Sequence, residues 1–278
     1  MKIGIVGYGF VGKATDILSD DNIIYDIDPS LCSPKGLSLE QLGKQSDIVF
    51  VSVPTPMNSD GSCHLDILES VITDLKIFTK NKPIVIRSTV PPGTSERLGC
   101  YFMPEFLTEK NFMDDFVNTS NWIFGDDGNM EFRNIIHEIF DTAVSQNRIK
   151  SNAIVFVNTK EAEMIKLFRN TFLSTKVSFC NEFYRFCEQF DVNYENVRQV
   201  AVLDPRVGSS HTAVPGHDGH FGFGGTCFPK DTNNVVHTMG ASSVLLKAVI
   251  NRNETIDRPE RDWVSDAGRA VSQTYSQS

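Results

Sequence analysis

The sequence is most informative at first through what it lacks. Its six cysteines include no CxxC pair, and no apolar run approaches the roughly 18 residues of a membrane span. Basic residues are scarce, with 26 Lys and Arg against 35 Asp and Glu and a net charge of −9. These absences argue against a disulfide framework, a membrane protein and a nucleic-acid binder that acts through overall charge. They favour reduced thiols in a cytosol.

The remaining composition is that of a globular protein of 278 residues, with 40% hydrophobic and 22% charged residues. That length predicts one large domain or two of ordinary size. The chain opens on MKIGIVGYG, which already has the pattern of a strand and a turn. We therefore expect no signal peptide before it and a cytoplasmic protein.

A glycine-rich turn follows the first apolar segment. KIGIV leads into GYGFVG, a GxGxxG motif, and a helical stretch and a second apolar run, NIIYDID, come next. This strand–turn–helix–strand order is typical of a mononucleotide-binding unit. The glycines allow a tight turn, close approach of a pyrophosphate and close helix packing, with the phosphate at the helix N-terminus. The motif predicts a dinucleotide site that contains Gly7, Gly9, Phe10, Val11 and Gly12.

An acidic residue at the end of the second apolar run predicts which dinucleotide binds. Asp26 lies 19 residues after Gly7, where an acid binds the ribose hydroxyls, and Asp28 is the alternative. Because a carboxylate at this place repels a 2′-phosphate, the sequence favours NAD over NADP as the cofactor.

Two later segments share one pattern, an unbroken apolar run that ends in Thr and Pro. They are DIVFVSVPTP and KPIVIRSTVPPGT. Unbroken runs are typical of strands buried on both faces of a parallel sheet, and function collects at the carboxyl ends of such strands. Thr55 and Thr89 are therefore expected to face the cofactor, unless each only satisfies its own turn. FMPEF, WIFGD and AIVFVNT are predicted to complete the sheet, and a loop with Glu109 follows the first of them.

A single long amphipathic helix is predicted from Thr159 to Phe190, where the chain has no Gly or Pro. Its apolar stripe needs more than its own sheet to cover it, which indicates a dimer interface. Lys166 and Asn170 stand four residues apart and so share a face, which is either a solvated polar face or part of a buried site. The stripe consists of Met164, Phe168, Phe172, Phe179, Phe183, Phe186 and Phe190.

The stretch FGFGGTCFPKD places a thiol in an unusual setting. Cys227 follows three glycines and precedes Lys230 and Asp231. A structural cysteine prefers an apolar wall, whereas a nucleophilic one needs a nearby cation and an approachable backbone. The setting suits a nucleophile, and the alternative is a flexible turn with an incidental cysteine.

The surrounding region, from about residue 192 to 252, is predicted to form shorter helices around a glycine-rich insertion. A zinc site of its three histidines with Cys227 is disfavoured because the spacing fits no tight ligand pair, so no metal is predicted.

The polar residues from Asn253 onward are expected to be partly disordered. The predicted domains are 1–158 for NAD binding, 159–252 for the long helix and a helical domain with the cysteine loop, and 253–278 for a polar tail. The three histidines of the disfavoured zinc site are His211, His217 and His220.

In that order, GYGFVG, VPTP, STVPPGT, MPEFLTE, KLFRN and GFGGTCFPKD closely resemble the motifs of the UDP-glucose/GDP-mannose dehydrogenase family. The resemblance implies an α/β fold: a Rossmann-type doubly wound parallel sheet, a long helix and a small helical central domain. It implies a homodimeric cytoplasmic oxidoreductase of polysaccharide biosynthesis, which uses two NAD to oxidise the sixth carbon of a nucleotide sugar from alcohol to acid. UDP-glucose to UDP-glucuronate is the favoured reaction, with GDP-mannose and UDP-N-acetyl-hexosamine as alternatives.

The resemblance also implies roles for the polar residues of these motifs. The Cys227 thiolate attacks the aldehyde, the resulting thiohemiacetal is oxidised to a thioester, and water releases the acid. Lys166 handles the alcohol proton and stabilises oxyanions, with Asn170 as its hydrogen-bonding partner. Asp231 and Thr89 position and activate the hydrolytic water.

Other residues match family positions around the substrate and the cofactor. Glu105 and Glu109 match two acids near the sugar and the nicotinamide, and Arg206 matches an arginine that reaches the sugar from the dimer mate. Lys230 matches a lysine that contacts the substrate beside the cofactor. The loop that would close its backbone on the sugar is Gly222, Phe223, Gly224 and Gly225.

The sequence departs from the family pattern at its C-terminus. Family members usually continue into a second Rossmann-like domain that covers the nucleotide, and this chain stops after the central domain. That lid is expected from another polypeptide, or in part from the HTAVPGHDGH insertion and the tail. A non-catalytic or partner-dependent NAD-binding remnant and a two-electron hydroxyacid dehydrogenase are the competing hypotheses. Joint retention of the catalytic set argues against the first, and Cys227 argues against the second.

Overall fold

The computed structural model describes residues 1–276; Gln277 and Ser278, the end of the predicted tail, lie outside the described residues. The chain divides into two compact units. The first contains Met1–Thr55 and Leu65–Lys166, and the second contains Pro56–His64 and the residues from Leu167 onward. The division therefore falls within the long helix rather than before it.

The first unit is built on a seven-stranded sheet with the order β2-β1-β3-β4-β5-β6-β7. Every neighbouring pair is parallel except β5 and β6, which are antiparallel. The strand order switches at β1: β2 lies on one side of it, and β3 and the later strands follow on the other side. Doubly wound folds bind their ligands at this switch point. The strands are β1 Ile3–Val6, β2 Ile23–Tyr25, β3 Ile48–Val51, β4 Ile84–Ile86, β5 Tyr101–Phe102, β6 Trp122–Gly125 and β7 Ile154–Val157.

Apolar clusters cover both faces of this sheet. One cluster contains Ile3, Ile5 and Phe50, and the other contains Val6, Val49 and Val51, so adjacent residues of one strand point into different clusters. This two-sided burial explains why the strand segments are unbroken apolar runs. The predicted Rossmann-type doubly wound sheet is confirmed. The helices of this unit are α1 Phe10–Asp16, α2 Leu39–Gln45, α3 Asp66–Thr79, α4 Thr94–Arg97, α5 Phe112–Val117 and α6 Met130–Ser145.

The strand predicted at FMPEF is much shorter than expected. β5 contains only Tyr101 and Phe102, although the Met103 N–H still donates to the Ile86 carbonyl. Pro104 has no N–H to donate to a ladder, so the chain leaves the sheet before it. The chain then turns toward α5, and β6 returns antiparallel to β5 through a single register pair.

The long helix α7 runs from Thr159 to Gln189, close to the predicted range. Its first residues belong to the first unit, and from Leu167 it belongs to the second. The predicted aromatic stripe is solvent-exposed in the single chain, from 37% at Phe183 to 71% at Phe168. The other helices of the second unit are α8 Tyr194–Ala201, α9 Phe228–Met239 and α10 Val244–Arg252.

The segment from Asn253 to Ser276 is ordered, contrary to the expectation of partial disorder. It begins with a π-helical turn, Asn253–Asp257, and places Trp263, Ala270 and Val271 in an apolar cluster with Met57. The Met57 N–H donates to the Ala270 carbonyl, and the Ser272 N–H donates to the Met57 carbonyl. A few apolar anchors and two strand-like bonds hold a segment that is polar on average.

Candidate active site

The glycine turn after β1 has the geometry that a dinucleotide needs. Gly7 has a φ of +86°, and a side chain there would meet the Ser52 carbonyl oxygen at 2.6 Å. A side chain at Gly12 would collide with the Gly7 carbonyl oxygen. Gly9 precedes α1 in extended conformation, and Phe10 and Val11 begin the helix. The turn thus presents backbone to a ligand at the point where the sheet order reverses.

Asp26 lies directly after β2 and folds back on this turn. Its carboxylate accepts hydrogen bonds from the Tyr8 N–H at 2.6 Å and from the Asp28 N–H at 2.9 Å. A carboxylate has about four lone-pair sites, so acceptor capacity remains for ribose hydroxyls. Asp28 instead caps the short helix Pro29–Leu31 through the Ser30 N–H, which favours Asp26 as the ribose residue.

Thr55 and Thr89 follow β3 and β4 at the carboxyl edge of the sheet. The Thr55 hydroxyl is buried and donates to the Thr89 carbonyl oxygen at 2.7 Å. This bond ties the two Thr-Pro turns together. The carboxyl edge therefore brings both residues to one place, as their position after parallel strands predicts.

Lys166 forms a buried ion pair with Glu105. Its Nζ donates to Glu105 Oε1 at 2.6 Å and to the Glu105 carbonyl oxygen at 2.7 Å, and both side chains are at most 5% exposed. Glu105 also lies near a second cation. Burial lowers the pKa of Arg87 to about 10, and the negative charge of Glu105 opposes that shift. Lys166 is thus part of a buried site rather than of a solvated helix face.

Glu109 is placed differently from Glu105. It is exposed in the turn that precedes α5, three residues before Phe112. Sequence proximity to Glu105 thus does not place the two acids in one environment.

Cys227 occupies the N-cap position of α9, with Lys230 and Asp231 in the first turn of that helix. Lys230 Nζ donates to Asp231 Oδ1 at 2.6 Å. Burial alone would lower the pKa of Lys230, but the negative charge of Asp231, followed by those of Cys63 and Cys227, raises it above its ordinary value. A helix N-terminus with a charged lysine is the setting in which a thiol is held as thiolate.

Asp231 also accepts a hydrogen bond from α7. Asn170 Nδ2 donates to its Oδ2 at 2.5 Å, and Asp231 is fully buried while Asn170 is 6% exposed. Both carboxylate oxygens of Asp231 therefore have a donor. The Asn170 amide is thus directed to Asp231, whereas the resemblance implies a hydrogen bond with Lys166.

The loop Gly222–Gly225 leads from the insertion to Cys227. Gly222 has a φ of +66°, and a side chain there would collide with the Asn253 amide oxygen. A side chain at Gly224 would meet the Arg258 guanidinium carbon at 2.5 Å. Phe223 is 4% exposed and packs edge-on against Phe228. Close neighbours, rather than flexibility, therefore require glycine at Gly222 and Gly224.

Arg206 stands apart from the other residues of the second unit. Its side chain is 89% exposed and pairs with Asp204 at 2.5 Å in the segment after α8.

In the described residues 1–276, no group of three or more His, Cys, Asp or Glu side chains is arranged to hold a metal ion. None of the helices in that range combines the length and apolarity that crossing a bilayer requires.

Three residues near the cysteine loop were missed in the sequence. Asn181 lies among the aromatic residues of α7, and Asn253 and Arg258 belong to the segment predicted to be a disordered tail. Both asparagines contact the backbone of the loop, at Gly222 and Phe223. An isolated asparagine carries no periodic signal. A run of charged residues with a buried arginine resembles a solvated segment.

The fold and these residues define a protein with a Rossmann-type domain and a helical unit that carries a thiol at a helix N-terminus. Two family models match the chain: the NAD binding domain of the UDP-glucose/GDP-mannose dehydrogenase family at residues 37–144, and its central domain at residues 160–255. The chain belongs to this family. The resemblance of the motifs and the NAD prediction are thereby confirmed, and the first unit is an NAD-binding domain.

Similar proteins agree with this assignment. The chain is 32% identical to the UDP-glucose 6-dehydrogenase of Rickettsia typhi over 91% of this chain and 67% of that protein. It is also 32% identical to the enzyme of the same name from Rickettsia bellii, over 78% of this chain and 50% of that protein. A UDP-glucose dehydrogenase structure from Pyrobaculum islandicum superposes with a TM-score of 0.79 at 24% identity, covering 91% and 68% of the two chains. The chain thus spans between half and about two thirds of these relatives.

Proposed function

We propose that this protein catalyses the NAD-dependent, four-electron oxidation of the sixth carbon of a nucleotide sugar. UDP-glucose, which becomes UDP-glucuronate, is the favoured substrate because the similar proteins named above are UDP-glucose dehydrogenases. The observation that carries the proposal is Cys227 at the N-cap of α9, with Lys230 and Asp231 in the first turn. A single hydride transfer needs no thiol, whereas oxidation from alcohol to acid uses one to hold the aldehyde.

Bound NAD supplies a hydride acceptor in each of the two oxidations. In the first, the alcohol carbon loses a hydride and its hydroxyl loses a proton. The Cys227 thiolate then forms a C–S bond to the aldehyde carbon, and loss of the second hydride converts this thiohemiacetal into a thioester. Water adds to the thioester carbon, the C–S bond breaks, and the acid leaves as the thiolate is restored.

Lys166 supports this chemistry as a source of positive charge. An ammonium held by the Glu105 carboxylate and carbonyl is preorganised to stabilise negative charge on the substrate oxygen. We assign the proton of the alcohol to Lys166 as well: its ammonium passes one proton to the Glu105 carboxylate, and the amine so formed accepts the alcohol proton.

Asp231 and Thr89 are proposed to act in hydrolysis of the thioester. Two donors, Lys230 and Asn170, fix the Asp231 carboxylate. A carboxylate held in this way is suited to orient a water molecule and to accept its proton. Asn170 is thus a residue that positions Asp231.

The remaining matched residues are proposed to bind ligands. The cofactor is assigned to Gly7, Gly9, Phe10, Val11, Gly12, Asp26, Thr55, Thr89, Glu109 and Lys230. The sugar is assigned to Glu105, Lys166, Asn170, Arg206, Gly222, Phe223, Gly224 and Gly225.

We further propose that the protein acts as a homodimer in the cytoplasm. Large apolar side chains of the α7 stripe, which include Phe168, Phe172 and Phe179, are exposed along one helix, and such a surface marks an interface. Arg206 is free of buried contacts and so is available to a partner's site. Light scattering at micromolar concentration should give twice the chain mass, and Phe172→Glu with Phe179→Glu should give a monomer. A monomeric parent would contradict this part of the proposal.

A panel of nucleotide sugars with NAD tests the proposed reaction. UDP-glucose, GDP-mannose and UDP-N-acetyl-hexosamines are each incubated with the protein, and NADH absorbance is compared with the sugar consumed. Two NADH per sugar and an acid product are expected for one donor. One NADH per sugar would indicate a two-electron enzyme, and no NADH with any donor would favour a non-catalytic or partner-dependent NAD-binding protein.

A further inference from the structure

The loop that leads to Cys227 is held from two directions within the second unit. Its backbone bonds to one buried asparagine on α7 and to another in the π-helical turn after α10. Their shared target is the backbone of Gly222 and Phe223.

Asn253 binds Phe223 through both ends of its amide. Its Oδ1 accepts from the Phe223 N–H at 2.8 Å, and its Nδ2 donates to the Phe223 carbonyl at 2.9 Å. Asn253 is fully buried, and Phe223 is 4% exposed. The two bonds form a closed pair that imitates one rung of a β-ladder, so they fix both the position and the orientation of this peptide.

Asn181 holds the neighbouring peptide from the opposite element. Its Oδ1 accepts from the Gly222 N–H at 3.1 Å, while its Nδ2 donates to the Val177 carbonyl of its own helix at 2.9 Å. Asn181 is 2% exposed. The bond to Val177 holds the Asn181 amide against α7, and the bond from Gly222 therefore ties the loop to that helix.

Arg258 closes the loop from a third side. Its guanidinium lies against Gly224 and pairs with Asp218 of the insertion at 2.7 Å and with Asp262 at 2.6 Å. The side chain is 4% exposed. The insertion, the loop and the C-terminal segment are thereby joined around one buried cation.

We propose that Asn253 is a positioning residue for the reaction: it sets the backbone of Phe223 and thereby the placement of Cys227 at the start of α9. Asn181 shares this role at Gly222. The proposal rests on the proposed function for its catalytic consequence. Catalytic geometry must hold within about half an ångström, and a glycine-rich loop reaches that precision only if its peptides are bonded.

Hydrogen exchange tests the placement directly. In Asn253→Ala the Phe223 amide hydrogen should exchange at least about tenfold faster, while the Gly222 amide stays protected by Asn181. Asn253→Asp keeps an acceptor for the Phe223 N–H but turns a second oxygen toward the Phe223 carbonyl in place of the donor, so its exchange should fall between that of Asn253→Ala and that of the parent. Ser243→Ala is the control, because Ser243 is 2% exposed and its hydroxyl donates to the carbonyls of Gly240 and Val236 rather than to the loop.

Kinetics test the consequence for catalysis. With UDP-glucose as the donor, Asn253→Ala should lower kcat at least about tenfold and leave KM for NAD within about twofold. The glycine turn and Asp26, which are assigned to the cofactor, belong to the other unit and are unchanged in this variant. Asn253→Asp should recover part of kcat. Ser243→Ala should match the parent in both constants after correction for its folded fraction.

Each result decides the proposal. Unchanged exchange at Phe223 in both Asn253 variants overturns it, and so does faster exchange with an unchanged kcat. If Asn253→Ala does not fold, Asn253→Asp carries the same comparison. If the parent oxidises no nucleotide sugar, the proposed function fails by itself. Alkylation of Cys227 by iodoacetamide then decides the positioning role: Asn253→Ala should raise its rate at least about threefold over Ser243→Ala, and an equal rate overturns the role.

Discussion

Replacing Cys227 by serine separates the chemistry of the site from its stability. Cys227 is the N-cap residue of α9 and makes no side-chain capping bond in the described structure. Serine is among the best N-cap residues, so the substitution should keep or raise the free energy of unfolding, by at most about 1 kcal/mol. Any loss of activity in Cys227→Ser therefore has a chemical origin.

The expected loss is large and confined to the second oxidation. The positive charge of Lys230 favours a thiolate at this place, but a serine hydroxyl in the same position is far less ionised than a thiol. Loss of a covalent nucleophile removes on the order of 10³-fold or more in rate. Oxidation of the alcohol needs no thiol. One slow NADH per sugar should survive, while acid formation stops or an ester adduct accumulates.

Stopped-flow absorbance and intact-protein mass spectrometry provide the measurement. NADH is counted per sugar in single turnover, and the protein mass is read after incubation with donor and NAD. Cys100→Ser is the matched control, because Cys100 is a buried core cysteine of the first unit and should leave the count at two. If Cys227→Ser still gave two NADH per sugar at the parent rate, the covalent mechanism would be refuted.

Three further predictions concern the first unit. The parent should bind NAD at least about tenfold more tightly than NADP, and Asp26→Asn should narrow that ratio because it removes the charge that repels a 2′-phosphate. Lys166→Met should lower the free energy of unfolding by about 3–5 kcal/mol because Glu105 loses its closest cation, and adding Glu105→Gln should recover part of the loss. Burial raises the pKa of Glu163 above its ordinary 4.5, so the folded chain binds more protons than the unfolded chain just above that pH. Stability should therefore fall as pH rises through this window, and Glu163→Gln should flatten the fall.

Each of these has a direct measurement. Fluorescence titration with both dinucleotides tests Asp26, and equal affinities in the parent would contradict its assignment. Urea unfolding tests the ion pair and Glu163. Trp263→Phe leaves Trp122 as the reporter of the first unit, since each unit buries one tryptophan. If the losses in free energy of unfolding from Lys166→Met and Glu105→Gln simply added in the double variant, the ion-pair argument would be contradicted. If Glu163→Gln left the pH dependence of stability unchanged, the argument about Glu163 would be contradicted.

The first unit could be predicted from the sequence almost completely, because its signals are local. Each parallel strand is an apolar run, and the glycine turn has its own motif. What failed was the strand at FMPEF, which ends at Phe102 because Pro104 cannot donate to the ladder. The antiparallel entry of β6 could not be predicted either, since the direction of a strand depends on where its neighbours lie.

The segment after Asn253 shows a different limit. Average polarity predicts disorder, but order here depends on a few buried residues, Trp263, Ala270 and Val271. The charged residues are paired rather than solvated, as Arg258 is with Asp218, 40 positions away. Composition over a window cannot register such distant partners.

For the candidate site, the motifs identify residues, but only the folded structure shows which of them contact each other. The motif FPKD predicts Lys230 and Asp231 as site residues, but adjacent residues of a helix do not ordinarily face each other, so their contact could not be predicted from it. Asp231 is fully buried, and a buried carboxylate is costly unless it is bonded and paired. Its second donor, Asn170, comes from a helix 61 positions earlier, where a polar residue among aromatic ones gives no local hint of its partner. The order of motifs along the chain supplied Asn170 as a site residue, but only the folded contact shows that its amide is directed to Asp231. The burial of that carboxylate therefore explains why α7 carries an asparagine at this position.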